Sequence, residues 1–415
     1  MAGLDFHKAL KTAKKTCPSS TSSYESLNST IFKTLNNSIS PPLPTPATSA
    51  VTTAETASLL SNLTSNKLNL IISDPNVETS VCLRIFDFLC KNQSLLSFKP
   101  DLHANLTLIC RLIKSRKFDD AENLLKNVAV DQNYRYPFSS LGNWAENYCK
   151  ESKIITKLMN MMLKVYSDHQ MFDMAYTAFD YMKNNGIQID ERTCTVHLYA
   201  LISSDQVGLS LKFFQEMADT GIEVSVFSLT VMVNGLCSIG ELKMARKLVE
   251  EMTGREVKPN IVTFNTLVDA CAKRWSFEEL DLVLILMKKE GIEFNDSTYK
   301  FLIDGYSSFG KIEEAERLVL EMHDKGFNVN RYLYLSVIKG YFRLKNVKGG
   351  VSLFNKMQDR GLSPNIDMFR SLIDDLCKIE EMETAEDLVI KMQKKGVELD
   401  EVIFNTLMAD YRKSS

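Results

Sequence analysis

No two of the nine cysteines form a Cys-x-x-Cys pair, no apolar run approaches a membrane span, and neither sign of charge prevails. Each absence removes a class of protein. An odd number of single cysteines in a long chain argues against a disulfide framework and points to reduced thiols in a reducing compartment. The longest apolar runs, such as LVLILM at 282–287, fall far short of the ~20 residues a helical span needs, so no membrane span is expected. With 49 Lys and Arg against 52 Asp and Glu, the net charge is −3, and any anion-binding surface must be local. The five histidines at 7, 103, 169, 197 and 323 are scattered. No His-x-Glu precedes a Cys-x-x-Cys as a zinc deaminase requires, and no glycine-rich loop is placed to cradle a phosphate. These absences predict a protein that is not an enzyme and uses no cofactor and no metal.

Arginine is missing before Arg84, and the first fifty residues hold only Asp5 and Glu25 as acids. Lysines stand at 8, 11, 14, 15 and 33, followed by the hydroxyl-rich and Pro-rich stretches SSTSSYESLNST and SPPLPTPATSAVTT. On a helix, Phe6, Ala9, Leu10, Ala13 and Cys17 share one side while Lys8, Lys11 and Lys15 share another. Residues 1–55 therefore read as an organelle import leader, directed to a mitochondrion or, as the alternative, a chloroplast. A disordered tail is the other reading of the same composition.

What the chain has in abundance is periodicity. Met182, Met217, Met252, Met287, Met322, Met357 and Met392 follow one another at a constant step of 35 residues. Glycine keeps the same step at 186, 221, 291, 326, 361 and 396, with Glu256 in the one gap, and IVTFNTL at 261–267 returns as EVIFNTL at 401–407. A constant step of this size marks stacked structural repeats. The units are 156–190, 191–225, 226–260, 261–295, 296–330, 331–365 and 366–400. In 296–330, Tyr299, Leu302, Ile303 and Tyr306 make one apolar helix face that stops at Gly310; Ile312, Ala315, Val319 and Met322 make a second that stops at Gly326. The twentieth slot holds Ala175, Ser210, Ala245, Leu280, Ala315, Gly350 and Ala385, mostly small, as two closely approaching helices require. The repeating methionines read as core filler.

One such hairpin cannot bury both of its apolar stripes, so neighbours must stack. The expected fold is all-α, an α-solenoid of antiparallel helix-turn-helix repeats of 35 residues. Residues 1–55 form the leader, 56–155 degenerate helical repeats, 156–400 seven regular repeats, and 401–415 a partial repeat or capping helix.

The 35-residue step, with VTFNTLVDACAK opening one helix and AERLVLEMHDKGF filling another, resembles the pentatricopeptide repeat family in its plain form of uniform units. The Pro-Asn junctions at 259–260 and 364–365 belong to the same likeness. Tetratricopeptide repeats, which bind peptides, have a period of 34 and a Trp, Leu-Gly and Tyr pattern that is absent here.

The resemblance implies single-stranded organelle RNA as partner, one base per unit, with the fifth and last slots of each unit touching the base edge. Asparagine in a helix costs about 0.7 kcal/mol against alanine, so its presence at the fifth slot asks for a reason. The implied base-reading pairs are Asn160 with Asp190, Thr195 with Ser225, Thr230 with Asn260, and Asn265 with Asn295. By the family's correspondence they resemble readers of U, a purine, A and C. The last-slot residues also suit plain helix capping. At the second slot Phe227 and Val262 suit base sandwiching, and at the thirteenth Lys273, Arg343 and Lys378 suit phosphate, with a solvated charged face as the alternative. Lys300, Leu335 and Arg370 at the fifth slot depart from the pattern. The implied function is sequence-selective RNA binding that supports transcript stabilisation, processing or intron splicing, alongside protein partners in RNA processing. A scaffold for protein or ribosome contacts is the competing expectation.

Overall fold

The structure, a computed structural model, describes residues 63–91, 98–130 and 136–414, so the leader expected over 1–55 lies outside the described residues. These residues form helices and turns, and among them there is no strand. They group into two compact units that divide between Ala200 and Leu201. The first holds α1 (Ser65–Ser73), α2 (Thr79–Lys91), α3 (Leu102–Lys114), α4 (Phe118–Ala129), α5 (Phe138–Tyr148), α6 (Ser152–Asp168), α7 (Phe172–Asn184) and most of α8 (Glu191–Ser203). The second holds α9 (Val207–Asp219), α10 (Val226–Ser238), α11 (Leu242–Gly254), α12 (Ile261–Lys273), α13 (Phe277–Lys289) and α14 (Asp296–Phe309). It continues through α15 (Ile312–Asp324), α16 (Arg331–Arg343), α17 (Val347–Asp359), α18 (Ile366–Lys378), α19 (Met382–Lys394) and α20 (Glu401–Ser414).

Each regular repeat is a helical hairpin with chemically marked ends. Ser225, Asn260, Asn295, Asn330 and Asn365 sit before a first helix, and each side chain accepts a backbone N–H of the opening turn. Such a cap contributes about 1 kcal/mol. Second helices end in a left-handed residue, Gly326 at φ 78° for example, and the next N–H reaches back to the periodic methionine: Phe327 donates to the Met322 carbonyl at 3.1 Å. This closes a Schellman turn. Glu256 adopts the same conformation, at φ 67°, with the strain a Cβ brings.

All seven periodic methionines are buried. In the second unit each first helix packs on its own second helix and on the next first helix, α10 on α12, α12 on α14, and so on to α20. First helices thus form a row. The twentieth-slot residues lie in the core, and a Cβ on Gly350 would stand 2.4 Å from Cε1 of Phe342. Leu280 breaks the small-residue pattern; eight residues before it stands Ala272, where the 331–365 unit has Phe342 before Gly350. In the first unit, α4 packs on α6, and Arg111 of α3 donates to the carbonyls of Ile72, Asp74 and Val77, which fixes the α1–α2 turn. No helix among the described residues is long and apolar enough to cross a membrane.

Candidate nucleic-acid interface

On a first helix, slots two, five, nine and thirteen are separated by three, four and four residues, so they share one face. On α12 these are Val262, Asn265, Asp269 and Lys273. Val262 is 57% exposed, and Asn265 beside it is half-buried. The Asn265 Nδ2 donates to Oδ1 of Asn295 at 3.1 Å, and its Oδ1 accepts from the Thr298 hydroxyl at 2.7 Å. An asparagine amide has two donors and two acceptor directions. One donor and one acceptor direction of Asn265 therefore remain for a ligand.

The fold thus joins the fifth and last slots of a unit, thirty residues apart in sequence, in one polar cluster. Asn295 also caps α14 through a capping box with Thr298, so a single side chain both ends a turn and borders the cluster. On α10, Phe227 is 67% exposed and the half-buried Thr230 shares a hydrogen bond with the Thr263 hydroxyl at 2.7 Å. Asn260 is exposed, and its Oδ1 accepts from the backbone N–H of Val262 and Thr263.

The two earlier pairs are not presented in this way, and the expectation for Asn160 and Thr195 is corrected. Asn160 is only 4% exposed. Its Nδ2 donates to the carbonyls of Thr156 (2.8 Å) and Gln188 (3.0 Å), and its Oδ1 accepts the Asp190 backbone N–H at 2.8 Å. The amide is a latch between the first helix and the turn that leads to the next unit. Thr195 is 3% exposed, with its hydroxyl on the Glu191 carbonyl and carboxylate, both at 3.0 Å. Their partners remain accessible: Asp190 is exposed, while the half-buried Ser225 caps α10. In the last regular unit Arg370 pairs with Asp400 and Asp367, an ion-pair cluster in place of an amide.

The thirteenth-slot cations carry partners of their own. Lys273 Nζ lies 2.7 Å from Asp269 Oδ2, and Lys378 Nζ lies 2.6 Å from Asp374 Oδ2. Asp374 holds the Lys378 ammonium above its ordinary pKa. Arg343 donates instead to the Ser307 carbonyl at 3.1 Å, a neutral partner that leaves its charge uncompensated by that bond. Exposed pairs four residues apart contribute only ~0.3–0.5 kcal/mol, so a phosphate can compete with them.

Sequence reasoning missed the third slot. Thr193, Ser228, Thr263 and Thr298 are all buried, and Thr263 and Thr298 bond the fifth-slot residue of the preceding unit. The signal was present as four hydroxyls at a 35-residue step. Among the described residues, no three His, Cys, Asp or Glu side chains gather as a metal site.

A model of the PPR repeat family matches residues 225–273, 259–308 and 330–378, and a PPR repeat model matches 158–187, 297–327 and 367–397. The chain belongs to the pentatricopeptide repeat family. Pentatricopeptide repeat-containing protein At2g32630 of Arabidopsis thaliana is 38% identical over 151 residues, covering 36% of this chain and 24% of that protein. The mitochondrial pentatricopeptide repeat-containing protein At4g26680 of the same plant is 24% identical over 115 residues, 28% of this chain and 22% of that one. The matched stretch thus spans about a quarter of each relative's length. Among solved structures, the maize pentatricopeptide repeat protein PPR10 superposes with a TM-score of 0.54 at 21% identity, covering 91% of this chain and 50% of that one. This likeness establishes the shared fold, an all-α solenoid of pentatricopeptide hairpins.

Proposed function

We propose that this pentatricopeptide repeat protein binds single-stranded RNA in an organelle, and that units 226–260 and 261–295 carry its base selectivity. The observation that supports this reading most directly is the Asn265–Asn295 contact at 3.1 Å, bordered by exposed Val262. An apolar side chain at the second slot offers a stacking surface worth ~1–3 kcal/mol per base. The partly satisfied amide below it has hydrogen-bonding capacity for a base edge. Thr230 with Asn260, beside exposed Phe227, forms the neighbouring site. With Asn160 and Thr195 turned inward, selection is narrower than four bases: an A and, in the orientation the family resemblance implies (N-terminal unit toward the RNA 5′ side), a C next to it on the 3′ side.

In this reading the regular array 156–400 engages RNA. Residues 56–155 are degenerate repeats ahead of it, 401–415 is a partial repeat or capping helix, and 1–55 direct import. The protein acts by occupancy and without catalysis of its own, supporting transcript stabilisation, processing or splicing. A mitochondrion is the favoured compartment, a chloroplast the alternative; the mitochondrial relative supports the first.

The test is selection of bound sequences from a randomised single-stranded RNA pool by the full chain. Enrichment of adjacent A and C supports the proposal. Retention no better than that of a matched DNA pool at moderate salt rejects it in favour of a protein scaffold. Asn265→Ala with Asn295→Ala should cost about 1–3 kcal/mol of discrimination at the second base, measured by titration against single-base RNA variants, with helicity retained.

A further inference from the structure

Among the described cysteines, Cys82, Cys194, Cys237, Cys271 and Cys377 are buried in the helical core and Cys90 is exposed; burial pushes the Cys237 and Cys271 thiols up to about 12. Such thiols stay protonated and inert. Cys110 and Cys149 are different in kind. Cys110 lies in the C-terminal half of α3, and Cys149 is the residue that ends α5.

Two ties hold these elements face to face. At one end Trp144 Nε1 donates to His103 Nδ1 at 3.0 Å, and the Tyr148 ring meets the same imidazole edge-on, with centroids 4.8 Å apart. At the other, Lys114 Nζ pairs with Glu151 Oε1 at 2.8 Å. Between the ties, Cys110 and Cys149 line a single open cavity of about 410 Å³. Each is half-buried, sheltered by protein yet reachable by a molecule the size of water.

We propose that Cys110 and Cys149 form a reversible oxidation site, closing an intramolecular disulfide when the protein meets hydrogen peroxide and reopening it with a dithiol. Cys149 is the attacking sulfur. Its neighbour Cys110 holds the Cys149 thiol below the ordinary thiol range, against an upward push from burial; the Glu151 backbone N–H helps, and the Glu151 carboxylate opposes. The same pairing, together with burial, pushes Cys110 up.

In the first step the Cys149 thiolate attacks one peroxide oxygen. The S–O bond forms, the O–O bond breaks, and the departing hydroxide takes a proton and leaves as water. Cys110 then attacks the sulfenic sulfur of Cys149: the S–S bond forms, the S–O bond breaks, and the Cys110 proton leaves with that oxygen as a second water. Two thiols lose two electrons, and one peroxide becomes two waters. The product links α3 to the turn between α5 and α6, already docked by the two ties.

The test uses the full chain. After brief exposure to hydrogen peroxide and thiol blocking, peptide mapping should find a Cys110–Cys149 cross-link that dithiothreitol removes. Without oxidant, iodoacetamide at neutral pH should alkylate Cys149 at least about tenfold faster than Cys237 or Cys271. Cys110→Ser keeps a donor at that position and removes the resolving sulfur, so Cys149 should then accumulate as a sulfenic acid trapped by dimedone. Cross-links no more frequent between 110 and 149 than among other cysteines would overturn the proposal. So would Cys149 alkylation that accelerates only above the ordinary thiol range.

Discussion

Asn160 and Asn265 occupy the same slot of two repeats and meet different fates. Asn265 spends one donor and one acceptor on its neighbours, whereas Asn160 spends both donors and an acceptor and lies in the interior. Asn160→Ala leaves the Asp190 N–H and the Gln188 carbonyl without that partner. We expect a stability loss of about 1–3 kcal/mol in urea unfolding, with RNA selectivity unchanged, the opposite of Asn265→Ala. His197 is a second buried polar residue, at the slot where neighbouring units place Met162 and Met232. Its Nδ1 lies 2.9 Å from the Ser167 hydroxyl, and burial lowers its pKa to about 4. The folded state thus disfavours the imidazolium that the unfolded chain accepts below about pH 6.5. The associated stability is full above pH 6.5 and is lost as pH falls toward 4, up to about 3 kcal/mol in all. Replacing His197 by Met, the residue of the flanking repeats, should flatten that loss, as read from unfolding midpoints across pH 7 to 4.

In one repeat a large residue on the first helix faces a glycine on the second. Phe342 on α16 faces Gly350 on α17, while the equivalent positions on α12 and α13 are Ala272 and Leu280. Phe342→Ala alone opens a cavity, and Gly350→Leu alone drives side chain into ring; each should destabilise by a few kcal/mol, about 3–5 and 1–3 respectively. Together they copy the 261–295 arrangement, and the double variant should recover at least about 1 kcal/mol of the summed loss in a denaturation cycle. The period, the two helices of each unit and their stop residues were legible because helix faces and left-handed ends are written in single residues at fixed spacing. The Leu280 exception was visible as an exception only. Which side chain on the partner helix accommodates it depends on which side chains meet, and spacing does not say that.

For the protein as a whole, electrostatics decides how RNA would be held. A net charge of −3 gives no long-range attraction, and Lys273 and Lys378 each sit on an aspartate four residues earlier. If Lys273, Arg343 and Lys378 all reach phosphates, the logarithm of affinity should fall with the logarithm of salt at a slope of about −2, since each contact to a single strand contributes about −0.7. A steeper slope would mean that basic residues outside this face take part. Filter binding across a salt series gives the answer.

Repeat length, the all-helical fold and the residue types of the candidate interface were already set by the order of amino acids. They follow from periodic patterning and capping, which are local properties of a chain. Which asparagine keeps hydrogen-bonding capacity for a base, and which has used it to fasten a turn, was decided by contacts between residues about thirty positions apart. The same holds for Arg343 on the Ser307 carbonyl, 36 residues back, and for the placing of Cys110 and Cys149 in one cavity. A hydrogen bond depends on distance and direction, and only packed helices fix those.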